Sequence, residues 1–152
     1  MYRLETFNAA GHTQRIMGMK LREEDRREFE TSSGVTGNAP VLSSAINSED
    51  CVVIVDRATG RINALWGVVS FPHFGAVWGC GTDECMSVIA QLTDDVRPYL
   101  DKWQEKHGTI GGCIDSRNTK HVRWLRQLGF TIYENTSFVR GVPFHFFRRS
   151  YV

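Results

Sequence analysis

The chain lacks any apolar run approaching the roughly 18 residues that a membrane-spanning helix needs, so no membrane segment is expected. Met1-Tyr2-Arg3-Leu4-Glu5-Thr6 leads into no apolar stretch, so no signal peptide is expected either. There is no CxxC motif. Cys51, Cys80, Cys85 and Cys113 read as free thiols in a reduced compartment, which points to the cytoplasm. His12, His107, His121 and His145 have no second ligand at helical spacing, so no metal is expected. Neither sign of charge dominates: 18 Lys+Arg against 17 Asp+Glu leave +1, which names no polyanionic partner. Repeats, low-complexity tracts and dividing linkers are also missing.

What is present is a globular chain. Hydrophobic residues make up 41% and charged residues 23% of 152 residues, the size of one ordinary domain spanning 1–152. The charge is uneven. Residues 117–152 hold seven basic side chains (Arg117, Lys120, Arg123, Arg126, Arg140, Arg148, Arg149) against Glu134, a local +6, leaving −5 for the rest. This quarter reads as a solvated face or as a surface that meets phosphate.

Residues near 2–7 suit a short strand. Leu21 to Glu30 is dense in charge and suits an exposed helix carrying i,i+3 and i,i+4 ion pairs. Thr31 to Asn38 reads as a loop, with Asn38 as N-cap of a helix over 39–47. Cys51-Val52-Val53-Ile54-Val55 is a strand buried on both faces. Ile62–Phe71 and a third strand from Ala76 complete an antiparallel meander, turned at Arg57–Gly60 and Pro72–Gly75.

Val96, Leu100 and Trp103 form one helical stripe ending at His107-Gly108. Pro98 is tolerated only in a first turn, which predicts a start near 94–96 with Thr93 or Asp94 as cap. A strand follows at 109–114. Asn118 reads as the cap of a helix over 119–128, closed by a Schellman turn at Gly129 with Leu125 against Phe130. Two strands end the chain, Thr131 to about Val139 and Pro143–Arg148, turned at Gly141-Val142-Pro143. A strand–helix–strand crossover beside a meander predicts an α+β fold of the three-layer α/β kind, with a mixed, mostly antiparallel sheet flanked by helices.

The run Asn118-Thr119-Lys120-His121-Val122-Arg123-Trp124-Leu125-Arg126-Gln127-Leu128-Gly129-Phe130, set in this element order, resembles the late helix of the GNAT N-acetyltransferase superfamily. Together with Trp78-Gly79-Cys80-Gly81-Thr82-Asp83 and Leu21-Arg22-Glu23-Glu24-Asp25 it is similar to a narrower group, the GNAT-like proteins of short-tailed phages (internal virion protein A-like).

The resemblance implies a fourth strand that splays from the fifth, with acetyl-CoA pairing its pantetheine against exposed backbone of the fourth. On this chain the cofactor-binding residues would be Val77, Trp78, Gly79 and Cys80, with Arg97, Asn118, Lys120 and Arg123 toward the phosphates and pantetheine. Asn118 reads equally as a plain cap. Gly79, Gly81, Gly111 and Gly112 read as room for a ligand chain or as bulge markers. Candidate bases are Glu84, His73 and Glu28, and candidate acids are Tyr133 and Cys113.

Two departures stand out. The family's glycine-rich pyrophosphate loop is replaced by Gln91-Leu92-Thr93-Asp94-Asp95-Val96-Arg97, whose acidic pair at the expected helix start would repel pyrophosphate. Leu125 stands where many members place the acidic Tyr. The expected activity is transfer of acetyl from acetyl-CoA to an amine of a protein or small molecule. The alternative is a degenerate member that acts by binding a host or virion protein, in the host cytoplasm or the virion. Tyr133, Phe138, Phe144, Phe146 and Phe147 interleave with arginines, but strand alternation explains them as well, which argues against nucleic acid as a partner.

Overall fold

The computed structural model describes residues 1–151, with Asn135 and Thr136 described by their backbone alone. It divides into two compact units, Met1–Val69 with Trp78–Val88, and Ser70–Val77 with the chain from Ile89 onward. The elements of the first stretch are β1 (Tyr2–Thr6), α1 (Ala9–Met17), α2 (Glu23–Ser33), α3 (Ala39–Asn47), β2 (Asp50–Asp56), β3 (Ile62–Phe71) and β4 (Phe74–Gly81), followed by a 3-10 helix, Asp83–Val88. Then come α4 (Ile89–His107), β5 (Thr109–Asp115), α5 (Thr119–Gln127), β6 (Thr131–Val139) and β7 (Val142–Ser150). The hydrogen-bonded strand order is β1-β2-β3-β4-β5-β7-β6. The sheet is mixed: β4 and β5 pair in parallel, while β1–β2, β2–β3, β5–β7 and β6–β7 are antiparallel.

In the first unit, β2 is the centre. Cys51 to Val55 are all buried, as an apolar run without alternation requires. Ile16, Met19, Leu21, Val41, Ala45, Val53, Val55 and Leu65 form one core with Cys51 and Cys80. Asn38 does not cap α3 as its position suggested. Its amide nitrogen instead donates to the carbonyls of Ile16 (3.0 Å) and Met19 (2.7 Å), tying down the end of α1. The Ile16 carbonyl also accepts the Met19 N–H (3.1 Å), so the Asn38 amide adds to a backbone turn that already closes α1.

α2 runs three residues into the expected loop and stops at Gly34, whose φ of 73° suits the left-handed C-terminal turn. The expected ion pairs of Arg26 with Glu23 and with Glu30 are present. The helix is not wholly exposed, however. Asp25 and its neighbour Arg22, just before the helix, are buried and paired at 3.2 Å, and Asp25 also accepts the Gly81 N–H at 2.9 Å.

In the second unit, α4 begins at Ile89 and carries Pro98 in its interior, earlier than the proline argument allowed. Leu92 joins Val96, Leu100 and Trp103 in the buried stripe. Burying a large apolar side chain yields about 1.5–3 kcal/mol, so the stripe offsets the about 3 kcal/mol that an interior proline costs. Thr93 is no cap either: its hydroxyl donates to the Ile89 carbonyl (2.6 Å) and accepts the Trp124 indole N–H (2.7 Å).

α5 ends as expected. The Phe130 N–H bonds the Leu125 carbonyl (3.0 Å) and the Gly129 N–H bonds the Arg126 carbonyl (3.1 Å), the paired bonds of a Schellman turn. Gly129 sits at φ 94°, and Leu125 and Phe130 are both buried. β6 and β7 are joined at Arg140-Gly141, both at positive φ, a tighter turn than the expected Gly141-Val142-Pro143. The β6 register shifts between Tyr133 and Ser137.

Candidate functional site

β5 is bonded unequally on its two edges. Toward β7 all seven residues, Thr109 to Asp115, have register partners. Toward β4 the parallel register comprises two pairs, Gly75↔Ile110 and Ala76↔Gly111. Gly112 marks the end of that ladder. A Cβ there would lie 2.9 Å from the Val77 carbonyl oxygen and 3.0 Å from the Phe147 ring, so only glycine fits. At Gly111 a Cβ would come 2.2 Å from the Phe147 carbonyl oxygen. Gly79 and Gly81 are similarly close to Trp66 and to Cys85. These four glycines therefore admit neighbouring protein atoms, whereas the sequence suggested a ligand chain or bulges.

The first turn of α4 holds no acidic residue, because the helix starts before Asp94 and Asp95. The expected repulsion of an anion at this helix start is thereby removed. Arg97 lies further along, and its guanidinium donates to the Gln127 carbonyl at the end of α5 (2.8 Å). On α5, Lys120 and Arg123 are exposed, opposite the buried Val122, Leu125 and Leu128. Asn118 is buried at the helix start without the expected side-chain cap bond. Its N–H donates to the Asp115 carbonyl (3.0 Å) at the entry to the helix.

The other expected site residues fall as follows. Val77 and Gly79 are half-buried. Trp78 is half-buried, donates its indole N–H to the Ser48 hydroxyl (2.8 Å) and meets Phe29 edge-on. Cys80 is buried in the first unit's core, and burial pushes its thiol well above the usual range. Glu84 is exposed in the 3-10 helix, where its own backbone N–H and the Thr82 hydroxyl hold its carboxyl below the usual range. Glu28 is half-buried on α2. His73 is exposed in the β3–β4 turn at φ 59°. Of the acids considered, Cys113 is exposed on β5 and Tyr133 half-buried on β6. Leu125 is buried and carries no proton to give.

One surface that the sequence offered only as interleaved aromatics and arginines takes a definite form. Cys113, Phe146 and Tyr133 lie side by side on β5, β7 and β6 through the registers Cys113↔Phe146 and Tyr133↔Phe146. Arg148, two residues along β7 and on the same face, sits over the Tyr133 ring at 5.7 Å. The alternation of Phe144, Phe146 and Arg148 was the available signal. No helix among the described residues is long and apolar enough to cross a membrane, and none of their His, Cys, Asp or Glu groups could hold a metal.

No family model and no curated protein matches the sequence. Solved structures do. A candidate acetyltransferase from Acinetobacter baylyi is similar at a TM-score of 0.68 and 13% identity, covering 99% of this chain and 93% of its own. The ribosomal-protein-S5-alanine acetyltransferase of Vibrio fischeri follows at 0.64 and 16%, covering 98% and 92%. A GNAT superfamily phosphinothricin acetyltransferase from Sinorhizobium meliloti, solved in complex with AcCoA, matches at 0.59 and 15%, covering 97% and 87%. The fold is the GNAT acetyltransferase fold. The GNAT-like mixed sheet expected from the element order is therefore present, while identities this low speak for architecture alone.

Proposed function

We propose that this chain, acting as one domain over 1–152, binds acetyl-CoA and transfers the acetyl group to an amine of a protein or small molecule. The observation that carries the reading is the unequal bonding of β5, with seven residues paired toward β7 and two toward β4. A parallel ladder that short leaves main chain of β4 for an extended ligand to pair with. The resemblance assigns such a ligand the following residues. Val77, Trp78, Gly79 and Cys80 supply main-chain groups. The first turn of α4, which follows the 3-10 helix directly, carries no carboxylate to repel a pyrophosphate. Arg97, Lys120, Arg123 and Asn118 bring positive charge and an amide from α4 and α5.

The thioester, when bound, supplies an activated acyl carbon. The protein's part is to move protons. Glu84, His73 or Glu28 takes the proton of the acceptor amine as the N–C bond forms. Tyr133 or Cys113 returns one to the sulfur as the C–S bond breaks.

Calorimetry tests the donor step. Acetyl-CoA and CoA should both bind, and Lys120→Ala with Arg123→Ala should weaken both by about 1.5–3 kcal/mol if each variant removes a charged hydrogen bond. No heat with millimolar acetyl-CoA would refute the reading.

A second reading is favoured by two features. Leu125 is buried where the resemblance places an acidic Tyr, and Glu84 is a weakened base. On that reading the fold is catalytically degenerate, related to short-tailed phage proteins, and works by holding a host or virion protein. Acetyl-CoA binding without transfer to any amine, together with a defined partner retained when CoA is present, would favour it over transfer.

A further inference from the structure

The second unit's sheet has two different faces. On one, Ile110, Ile114 and Phe147 are buried, Phe130 packs edge-on to Phe147 (5.1 Å), and Arg149 is tied to Asp101 of α4 (2.6 Å). On the other, Cys113 and Arg148 are exposed and Tyr133 and Phe146 half-buried, their rings 5.9 Å apart. The charged groups of this second face separate cleanly. Asp115 is buried and engaged by Arg117, whose guanidinium meets it at 2.7 Å. Glu134 belongs to the opposite face, beside Arg126 of α5 at 3.6 Å. Arg148 has no carboxylate partner among the described residues.

Arg148 is nonetheless held. Its guanidinium lies 5.7 Å from the Tyr133 ring centre and donates to the Tyr133 hydroxyl at 3.1 Å. An arginine stacked on a ring has lost part of its side-chain freedom before any ligand arrives, and its fork still offers free N–H donors. Arg148 is two residues from Phe146, about 7 Å along the strand, and β5 is one strand spacing, about 4.8 Å, from β7. A small molecule reaching from the Cys113 side of β5 therefore spans to the guanidinium.

We infer that Arg148, positioned by Tyr133 and floored by Phe146, binds an anionic group on the acetyl acceptor, so that the preferred acceptors are small amines carrying a carboxylate or a phosphate. The inference rests on the acetyl-transfer reading and narrows its acceptor. A neutral or cationic amine leaves the guanidinium unmatched, and a cation meets like charge. Tyr133 acts here through Arg148 and is a positioning residue in this role.

The test uses four amines in two matched pairs: β-alanine with β-alaninamide, and phosphoethanolamine with ethanolamine. CoA release is followed with the full chain and acetyl-CoA. The anionic member of at least one pair should exceed its neutral partner in kcat/KM by about tenfold or more, as a site built around a polar contact discriminates. The pair that shows it separates carboxylate from phosphate. Arg148→Ala should bring that ratio close to one while the heat of acetyl-CoA binding and the thermal midpoint are kept. Arg148→Lys should restore part of the preference. Tyr133→Phe should lower the anionic-to-neutral ratio of kcat/KM toward one, whatever it does to the rate with the neutral amine, and a ratio left unchanged would overturn its positioning role. Equal use of neutral amines, or a preference that survives Arg148→Ala, overturns the inference. So does failure of all four amines while acetyl-CoA still binds, and the donor reading then stands. Absence of acetyl-CoA heat removes the donor reading and this inference with it.

Discussion

The two units spend their charged and sulfur side chains in opposite ways. In the first, Arg22 and Asp25 are withdrawn from water and satisfied by each other and by the Gly81 N–H. Cys51, Cys80 and Cys85 are all buried there. In the second, Asp115 is buried but its partner Arg117 is exposed, Arg123, Arg126, Arg140 and Arg148 are exposed, Cys113 is exposed, and one aromatic face is only half-covered. Buried polar groups fix geometry because leaving one partner alone is expensive. Exposed ones cost little and remain available to a ligand. The first unit is thus built to hold a shape, and the second to present one.

The most severe way to break this contrast is Asp25→Ala. It removes the buried partner of Arg22, which keeps Glu24 at 3.4 Å, and leaves the Gly81 N–H without this acceptor, and should lower unfolding stability by about 3 kcal/mol, the lower end for breaking a buried pair, read from chemical denaturation. Asp25→Asn keeps an acceptor for Gly81 and should lose less. A loss no larger than that of a surface substitution would show that the pair is solvated after all. Asn38→Ala should cost less, about 1–2 kcal/mol, by releasing the carbonyls at the end of α1. Amide exchange confined to α1 and α3 would sharpen the assignment, whereas an unchanged midpoint would argue against the tether.

The smallest effect is chemical rather than energetic. Burial pushes the Cys51 thiol up to about 12 and Cys85 to about 11, with Cys80 also raised. The reactive thiolate is therefore scarce at these three below pH 9 or so. A disulfide reagent at pH 8 should titrate Cys113 rapidly and the other three only after unfolding. Two or more fast thiols would contradict the buried arrangement.

Much of the fold was legible where one local rule acts alone. Ile62–Phe71, the helix from Ala39, the Gly129 turn and the stripe of α5 follow directly from period and punctuation. Legibility failed where two rules compete. Pro98 argued for a late helix start, but Leu92 completes a stripe that outweighs it. Asn38 and Asn118 both look like caps, yet the amide of Asn38 serves another helix and the side chain of Asn118 makes no cap bond. A run such as Arg22-Glu23-Glu24-Asp25 gives no sign of which charges turn inward, since that depends on the distant Gly81.

For the site, the expectation of a disturbed fourth and fifth strand came from the resemblance, and the short β4–β5 ladder supports it. The acidic pair Asp94 and Asp95 misled because the helix start was misplaced. The aromatics and arginines around Arg148 were visible as an alternating run, but which of them meet could not be read, because a strand's outward residues look alike until cross-strand partners are known.

The irregular register of β6 bears on how the molecule behaves in concentrated solution. β6 ends the strand order, and its paired residues fall into two short groups, Thr131 to Tyr133 and Ser137 to Val139. An incoming strand meets no long flat template there, even though Phe138 is 70% exposed nearby. Straightening that kink would be expected to trade solubility for fibre growth, which makes the break in register a safeguard against self-assembly.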